Sequence, residues 1–302
     1  MKTNYPKICY FLRALRVPFL SASVLPFMFG SFLERTQFSL LIFVMGLFSV
    51  IFIHLGANLI NDYSDSRTGA DWKDCTYYGF FGGSKLIQEN VYSEFFYLVT
   101  ALVCFVIGGG GVLIITLVRN DFRILIYFLF IVFFAWNYSE WPLKCAYHGY
   151  GEFVLFILFG PVLVMGGYFL QTNIFPDIKS FLASIPCGLV TVILLVVNEI
   201  PDYKEDILTD KRNWISLVKA KNGYLLVCCL VIGLYCAVTV CVFFQIVGLV
   251  SLLSFLLLGI LLRIIYLLKK QYSHKAQLIT ASKDTILFHF LFLLFMILGT
   301  FL

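Results

Sequence analysis

Nine apolar stretches run along the chain, at residues 15–33, 38–60, 93–118, 123–140, 152–172, 180–200, 223–243, 246–268 and 284–302. Most reach the roughly 18–20 residues that a helix needs to cross a bilayer. Charged or turn-rich breaks separate them: Glu34-Arg35, 61–92, 119–123, 139–151, 172–179, 202–222 and 269–283. Segments of about ten alternating residues, the mark of a transmembrane β-barrel, are missing. The pattern predicts an all-α polytopic membrane protein with about nine transmembrane helices. No linker or low-complexity tract divides the chain, so 1–302 is taken as a single domain. Lys2, Lys7, Arg13 and Arg16 precede the first apolar run, as in a signal peptide. Pro18 and Pro26 interrupt that run and further spans follow closely, so an uncleaved first span is expected.

Composition agrees. Hydrophobic residues make up 61% of the chain and charged ones 13%, against about 45–50% and about 25% in ordinary soluble domains. A net charge of +5 raises nucleic acid as a partner, but the basic residues lie in the loops between spans, where membrane topology accounts for them. With a cytoplasmic N-terminus, 17 of the 22 Lys and Arg fall on the cytoplasmic side. Arg35, Arg119, Arg123 and Lys179 face the other side, and Arg263 lies within a span. The nine cysteines show no C-x-x-C and mostly lie in apolar runs, where Cys acts as a small hydrophobe.

Two polar stretches stand out at the ends of the second and sixth spans, both on the cytoplasmic side. The first is Asn58-Leu-Ile-Asn61-Asp62-Tyr63-Ser-Asp65, continuing to Gly69 and Asp71; the second is Asn198-Glu-Ile-Pro201-Asp202-Tyr203-Lys-Glu205-Asp206. On a helix, Asn58, Asp62 and Asp65 share one face, and so do Asn198, Asp202 and Asp206. An ionised Asp deep in a bilayer costs roughly 2.5–3.5 kcal/mol on insertion scales, so two such faces imply a cation between them. Solvated acids just past a helix end are the bland alternative, and the repetition at matched positions argues against it. The repetition also divides the chain into two pseudo-repeated halves, about 1–140 and 141–302.

Mg²⁺ prefers oxygen ligands and takes one or two carboxylates, with waters and substrate phosphates completing its octahedron. Two facing acidic ends suit Mg²⁺ ions gripping one diphosphate, with Asn58, Asn61 and Asn198 adding neutral oxygens. Transport acids usually lie nearer mid-membrane, whereas these cluster at one surface beside basic loops. Lys85 after Gly82-Gly83-Ser84, Lys144, Lys211-Arg212 and Arg16 are candidates to hold the diphosphate. Each alone is also an ordinary positive-inside anchor. His54, one turn before Asn58, is expected to face the same cavity, as a polar contact or an acid/base. Arg263 snorkels or lines the cavity, and His289 is a weaker candidate. Tyr63, Tyr138, Tyr147 and Tyr203 lie beside the motifs and are candidates to stabilise a carbocation through their rings.

These residues resemble the UbiA superfamily of intramembrane prenyltransferases. Asn58-x-x-Asn61-Asp62-x-x-Asp65-x-x-x-Gly69-x-Asp71, preceded by His54, is most similar to the MenA-like, 1,4-dihydroxy-2-naphthoate branch. Asn198-x-x-x-Asp202-x-x-x-Asp206, followed by Lys211-Arg212-Asn213, resembles the family's second Asp-rich motif. Weaker matches are Arg13-Ala-Leu-Arg16-x-Pro18, Gly83-Ser84-x-x-Ile87-Gln88 and Tyr138-x-x-x-Pro142-Leu-Lys144 with Gly151-Glu152. Asp210 stands where the second motif usually has Gly, and Trp141 where a Pro usually precedes Pro142, departures expected to reshape the acceptor side of the pocket.

The resemblance implies nine helices around a central cavity, capped by the cytoplasmic loops after spans 2 and 6. It implies that Asn58, Asp62, Asp65, Asn198, Asp202 and Asp206 hold Mg²⁺ and diphosphate, with Asp62, Asp65, Asp202 and Asp206 catalytic and Asp71 in the cap or metal shell. The activity implied is transfer of an isoprenyl group from a polyprenyl diphosphate to a small aromatic acceptor, 1,4-dihydroxy-2-naphthoate in menaquinone biosynthesis, at a bacterial plasma membrane. The alternatives are another phenolic acceptor such as 4-hydroxybenzoate, a cyclase acting on the prenyl chain, and a non-catalytic carrier of ions or lipid diphosphates.

Overall fold

A computed structural model describes residues 6–302, so Lys2 of the basic start lies outside the described residues. The apolar runs fold as helices: α1 (Lys7–Ala14), α2 (Ser21–Phe32), α3 (Leu40–Thr68), α4 (Glu94–Arg119), α5 (Arg123–Asn137), α6 (Gly151–Ile157), α7 (Leu163–Thr172), α8 (Ile178–Leu208), α9 (Trp214–Val218), α10 (Gly223–Phe243), α11 (Leu258–Gln271) and α12 (Lys275–Leu298). Among the described residues, seven helices are long and apolar enough to cross a membrane, or eight if α1 and the segment Val17–Phe32 form one bent span. The fourth expected span, α5, has only 15 residues. At 1.5 Å per residue it covers about 22 Å, less than the roughly 30 Å hydrocarbon core. The count of nine is thus not met by length.

The breaks have local causes. The first span bends by 41° between α1 and Val17. Arg16 adopts a left-handed backbone there, with φ 50°, and Pro18 opens the short 3-10 turn that follows. Pro161 withholds an N–H between α6 and α7, and the chain passes through a π turn at 158–162 before resuming as α7.

The largest departure from the sequence expectation is at the polar ends. The second span, expected to end at residue 60, stays helical to Thr68 and is stopped by Gly69 at φ 86°. The sixth, expected to end at 200, runs through Pro201 to Leu208. Both acidic motifs are therefore helix, and their carboxylates project from rigid elements.

Lipid is as apolar as leucine, so helices in a membrane associate through close packing rather than through burial from water. Small residues supply the contact between α2 and α7. A Cβ on Gly30 would lie 2.0 Å from the Val164 carbonyl oxygen, and one on Gly167 would lie 2.5 Å from that of Phe27. One apolar cluster gathers around α8, with Val190, Ile193, Leu234, Phe288 and Phe292 at its centre. A second joins α1, α3 and α4 through Leu59, Ile60, Tyr97 and Phe105. The first acidic motif rises from one cluster and the second from the other, with the site at the seam.

Candidate active site

The acidic ends of α3 and α8 meet at one end of a cavity of about 290 Å³. The residues around its other end are apolar, among them Ala22, Ile53, Leu155, Phe159 and Leu194. Seven carboxylates line it (Asp65, Asp71, Asp74, Glu199, Asp202, Glu205, Asp206) against four cations (Arg16, Lys85, Lys211, Lys275). The surplus of negative charge is what a bound metal ion would offset.

On α3, Asp62 is 1% exposed and sits behind the cavity wall, accepting from the Arg16 guanidinium and from the Ser84 N–H at 3.2 Å. Asp65 accepts the Tyr147 hydroxyl at 2.5 Å and lies 3.5 Å from the Lys211 ammonium. Asn58 donates its amide to the Leu15 carbonyl at 3.2 Å, and Asn61 donates to Ser139 Oγ at 2.8 Å. On α8, Asp202 accepts the Gly82 N–H at 2.9 Å, and Asp206 accepts the Asn213 amide at 2.7 Å. Lys211 also lies 3.9 Å from Asp206, so one ammonium spans both helices.

The loop after α3 folds over this meeting point. Lys85, almost fully buried, donates to the Asp71 carboxylate at 2.9 Å and to its backbone carbonyl at 3.1 Å. Gly82 and Gly83 turn the chain with φ 72° and 78°, and a Cβ on Gly83 would lie 2.6 Å from Asp71 Oδ2. Arg16 and Lys85 also hold positive φ, 50° and 60°. Non-glycine residues tolerate this at a cost of about 1–3 kcal/mol, and such strain clusters at ligand sites.

Loop groups around the cavity carry the imprint of the charge cluster. Burial, then the Asp65 carboxylate, push the Asp71 carboxyl above its ordinary range, with Lys85 opposing. Burial disfavours the Lys211 ammonium, but the carboxylates of Asp65 and Asp206 outweigh it and hold it protonated. Burial, then Asp65, raise the Tyr147 hydroxyl, which stays a donor.

Among the described residues no group of three or more His, Cys, Asp or Glu side chains could hold a metal ion by itself. That fits Mg²⁺ gripped by one or two carboxylates plus phosphate oxygens rather than caged by protein. The donors present are Asn, Asp and Glu oxygens, the hard ligands Mg²⁺ prefers. Asn198 Oδ1, Glu199 Oε2 and Asp71 Oδ2 are buried with no hydrogen-bond partner, lone pairs that a cation would occupy.

Of the residues singled out in sequence, Arg16, His54, Asn58, Asn61, Asp65, Lys85, Tyr138, Asn198, Asp202, Asp206 and Lys211 line the cavity, while Asp62 and Tyr147 back it. His54 bonds Ser23 Oγ at 2.7 Å through Nδ1, beside Phe159. The candidates that lie outside are corrected here. Arg212 is exposed, and its backbone pairs with 147–149. Lys144 lies off the cavity, its ammonium 5.8 Å from the Tyr147 ring. Tyr203 lines a different cavity. Tyr63 bonds Arg67 at 2.9 Å, off the cavity. Arg263 pairs with Asp284 at 3.3 Å on the outer face, and His289 reaches only Thr191, at 3.2 Å. Trp141 and Asp210 are exposed and do not reshape the pocket. Asp210 keeps the φ of 54° natural to the usual Gly.

Sequence reasoning missed Glu199, Asp74, Glu205 and Lys275. Lys275 donates to Asp74 at 2.8 Å and lies 3.0 Å from Glu205. Its partners are distant in sequence, so no spacing betrays it. Glu199 carried a signal, an acid at i−3 from Asp202 inside an apolar run.

A profile described as the UbiA prenyltransferase family matches residues 23–295. The chain belongs to the UbiA prenyltransferase family. It is a prenyltransferase. Similar curated sequences lie in the naphthoate branch. A 2-carboxy-1,4-naphthoquinone phytyltransferase of Synechocystis is 26% identical over 227 residues, covering 74% of this chain and 71% of that one. A 1,4-dihydroxy-2-naphthoate octaprenyltransferase of Bacillus subtilis is 25% identical, covering 62% and 58%. A solved UbiA homolog from Archaeoglobus fulgidus, bound to GPP and Mg²⁺, superposes with a TM-score of 0.60 at 14% identity over 97% of this chain and all of that one. The UbiA fold thus spans nearly all of the chain.

Proposed function

We propose that this UbiA prenyltransferase transfers an isoprenyl group from a polyprenyl diphosphate to 1,4-dihydroxy-2-naphthoate, in menaquinone biosynthesis. The observation that carries the proposal is the meeting of Asp65 with Asp206, and of Asp202 with the Gly82–Lys85 turn, above an apolar cavity. A diphosphate with a hydrocarbon tail matches that division of polar and apolar wall. The positive-inside balance supports a cytoplasmic position for this end, and the naphthoate relatives favour a bacterial plasma membrane.

Asn58, Asp65, Asn198, Asp202 and Asp206 would hold Mg²⁺, with Asp62 joining them once the diphosphate draws Arg16 off its carboxylate. When bound, Mg²⁺ neutralises diphosphate charge and makes it a better leaving group. Arg16, Lys85 and Lys211 add fixed positive charge where negative charge grows. The prenyl C1–O bond breaks, its electron pair leaving with the diphosphate. The acceptor's ring carbon attacks the allylic cation, and its carboxylate departs as CO2, returning the electron pair to the ring. Tyr138 offers a ring face to the cation, the apolar wall excludes water, and His54 with Ser23 supplies a polar contact inside the cavity.

The test is product analysis with labelled prenyl diphosphate and a panel of aromatic acids. A prenylated naphthoquinol formed with dihydroxynaphthoate, and lost at least about 100-fold in Asp202→Asn, supports the proposal. A product with 4-hydroxybenzoate alone, or a cyclised hydrocarbon without acceptor, replaces it.

A further inference from the structure

At the same end of the bundle a second cavity of about 760 Å³ opens between the end of α8, the 219–221 turn and the start of α12. Its walls carry Lys204, Lys219, Lys221, His274 and Lys275, against the single carboxylate of Glu205. The first turn of α12 opens onto it with no acidic residue and no side-chain cap, so the positive end of that helix adds to the lysines. Like charges gathered in a hollow repel one another; Asp74 and Glu205 pair with Lys275, while among the described residues no ion pair offsets Lys204, Lys219, Lys221 or His274. Lysines that merely anchor a bundle to a membrane surface need no hollow.

The backbone at one wall residue is strained. Lys219 holds φ 67° and ψ 145°, a conformation at ease only for glycine. The turn at 219–221 bears that strain instead of carrying glycine. It keeps a lysine on the cavity wall.

We infer that this cavity binds a phosphate-bearing anion. Two sources share that chemistry: the headgroup of an anionic phospholipid, and inorganic diphosphate. The position suits either. The cavity lies where headgroups gather, and Glu205 and Lys275 line both it and the reaction cavity, so the pair is their common wall. The inference does not depend on the acceptor or on turnover.

The test uses the full chain in nanodiscs, with EDTA present so that the Mg²⁺-dependent reaction cavity is silent. Wild type is compared with Lys219→Gly/Lys221→Gln. Gly at 219 removes the charge and relaxes the backbone, so the variant should melt no lower than wild type. Inorganic diphosphate is titrated in phosphatidylcholine discs, and retained phosphatidylglycerol is counted by mass spectrometry in mixed discs. Each lysine removed should weaken the bound anion about five-fold, and Lys219→Arg/Lys221→Arg should restore binding. Weakening of diphosphate identifies the free anion, and loss confined to phosphatidylglycerol identifies the headgroup. Equal diphosphate affinity and equal lipid retention in wild type and the Gly/Gln variant would overturn the inference.

Discussion

The Lys211 ammonium stands 3.5 Å from the Asp65 carboxylate, tying the loop behind α8 to the acidic end of α3. Both groups are largely buried, and Asp206 shares the same cation. Removing one partner of a buried pair leaves an uncompensated charge, at about 3–5 kcal/mol. Lys211→Met should therefore lower thermal stability by about that amount in EDTA. Mg²⁺ added together with an unreactive prenyl thiodiphosphate should restore part of it, because the metal ion then takes the place of the ammonium. Melting curves with and without Mg²⁺ plus the analogue check this; the same loss in both would exclude a shared cation site.

Tyr147 acts through Asp65 and is a positioning residue. Its hydroxyl bonds both Asp65 and Thr68, the latter at 2.7 Å. Tyr147→Phe removes a hydrogen bond to a charged group, worth about 1.5–3 kcal/mol. The expected kinetic result is a raised KM for Mg²⁺ with the acceptor KM unchanged. A merely structural role would leave the KM for Mg²⁺ where it was.

Much of this could be read from the chain. The apolar periodicity placed the rods, and the i, i+4, i+7 and i, i+4, i+8 spacings brought Asn58, Asp65, Asn198, Asp202 and Asp206 to one cavity. Where helices end was misjudged, because charged residues resemble loop while a rigid acidic helix end demands them. Asp62 was expected beside Asp65, yet the bend at Arg16 swings a guanidinium onto it. No local pattern encodes that contact across 46 positions, nor that of Lys275 with Asp74 across 201.

The loop over the cavity is held from two sides. Arg13 stacks on the Tyr77 ring at 3.6 Å, and Lys275 pairs with Asp74. Burial opposes the Asp74 charge, but the Lys275 hydrogen bond and the Thr76 N–H outweigh it and hold the carboxyl below its ordinary value of 3.8. A depressed carboxylate contributes stability above pH 3.8 that is lost as pH falls through the folded value. Limited proteolysis of the 73–80 loop should stay constant from pH 7 to pH 5 and rise only in stronger acid. Asp74→Asn should give the fast rate already at pH 7.

The Gly30 and Gly167 contacts predict stability effects remote from the site. A methyl group at either meets backbone rather than a movable side chain. Gly30→Ala and Gly167→Ala should each cost about 1–3 kcal/mol. Gly110→Ala, where nothing lies within 4 Å, should be close to neutral. Melting temperatures of the three variants in one detergent make the comparison.

The central claim is that the acidic ends of α3 and α8 hold divalent metal only together with a diphosphate. Mn²⁺ binding followed by electron paramagnetic resonance, with and without an unreactive prenyl thiodiphosphate, tests it most directly. The account predicts weak Mn²⁺ binding to the protein alone, tight binding when the analogue is present, and loss of the tight binding in both Asp62→Asn and Asp202→Asn. Tight Mn²⁺ binding that ignores the analogue, or that survives in both variants, would contradict it.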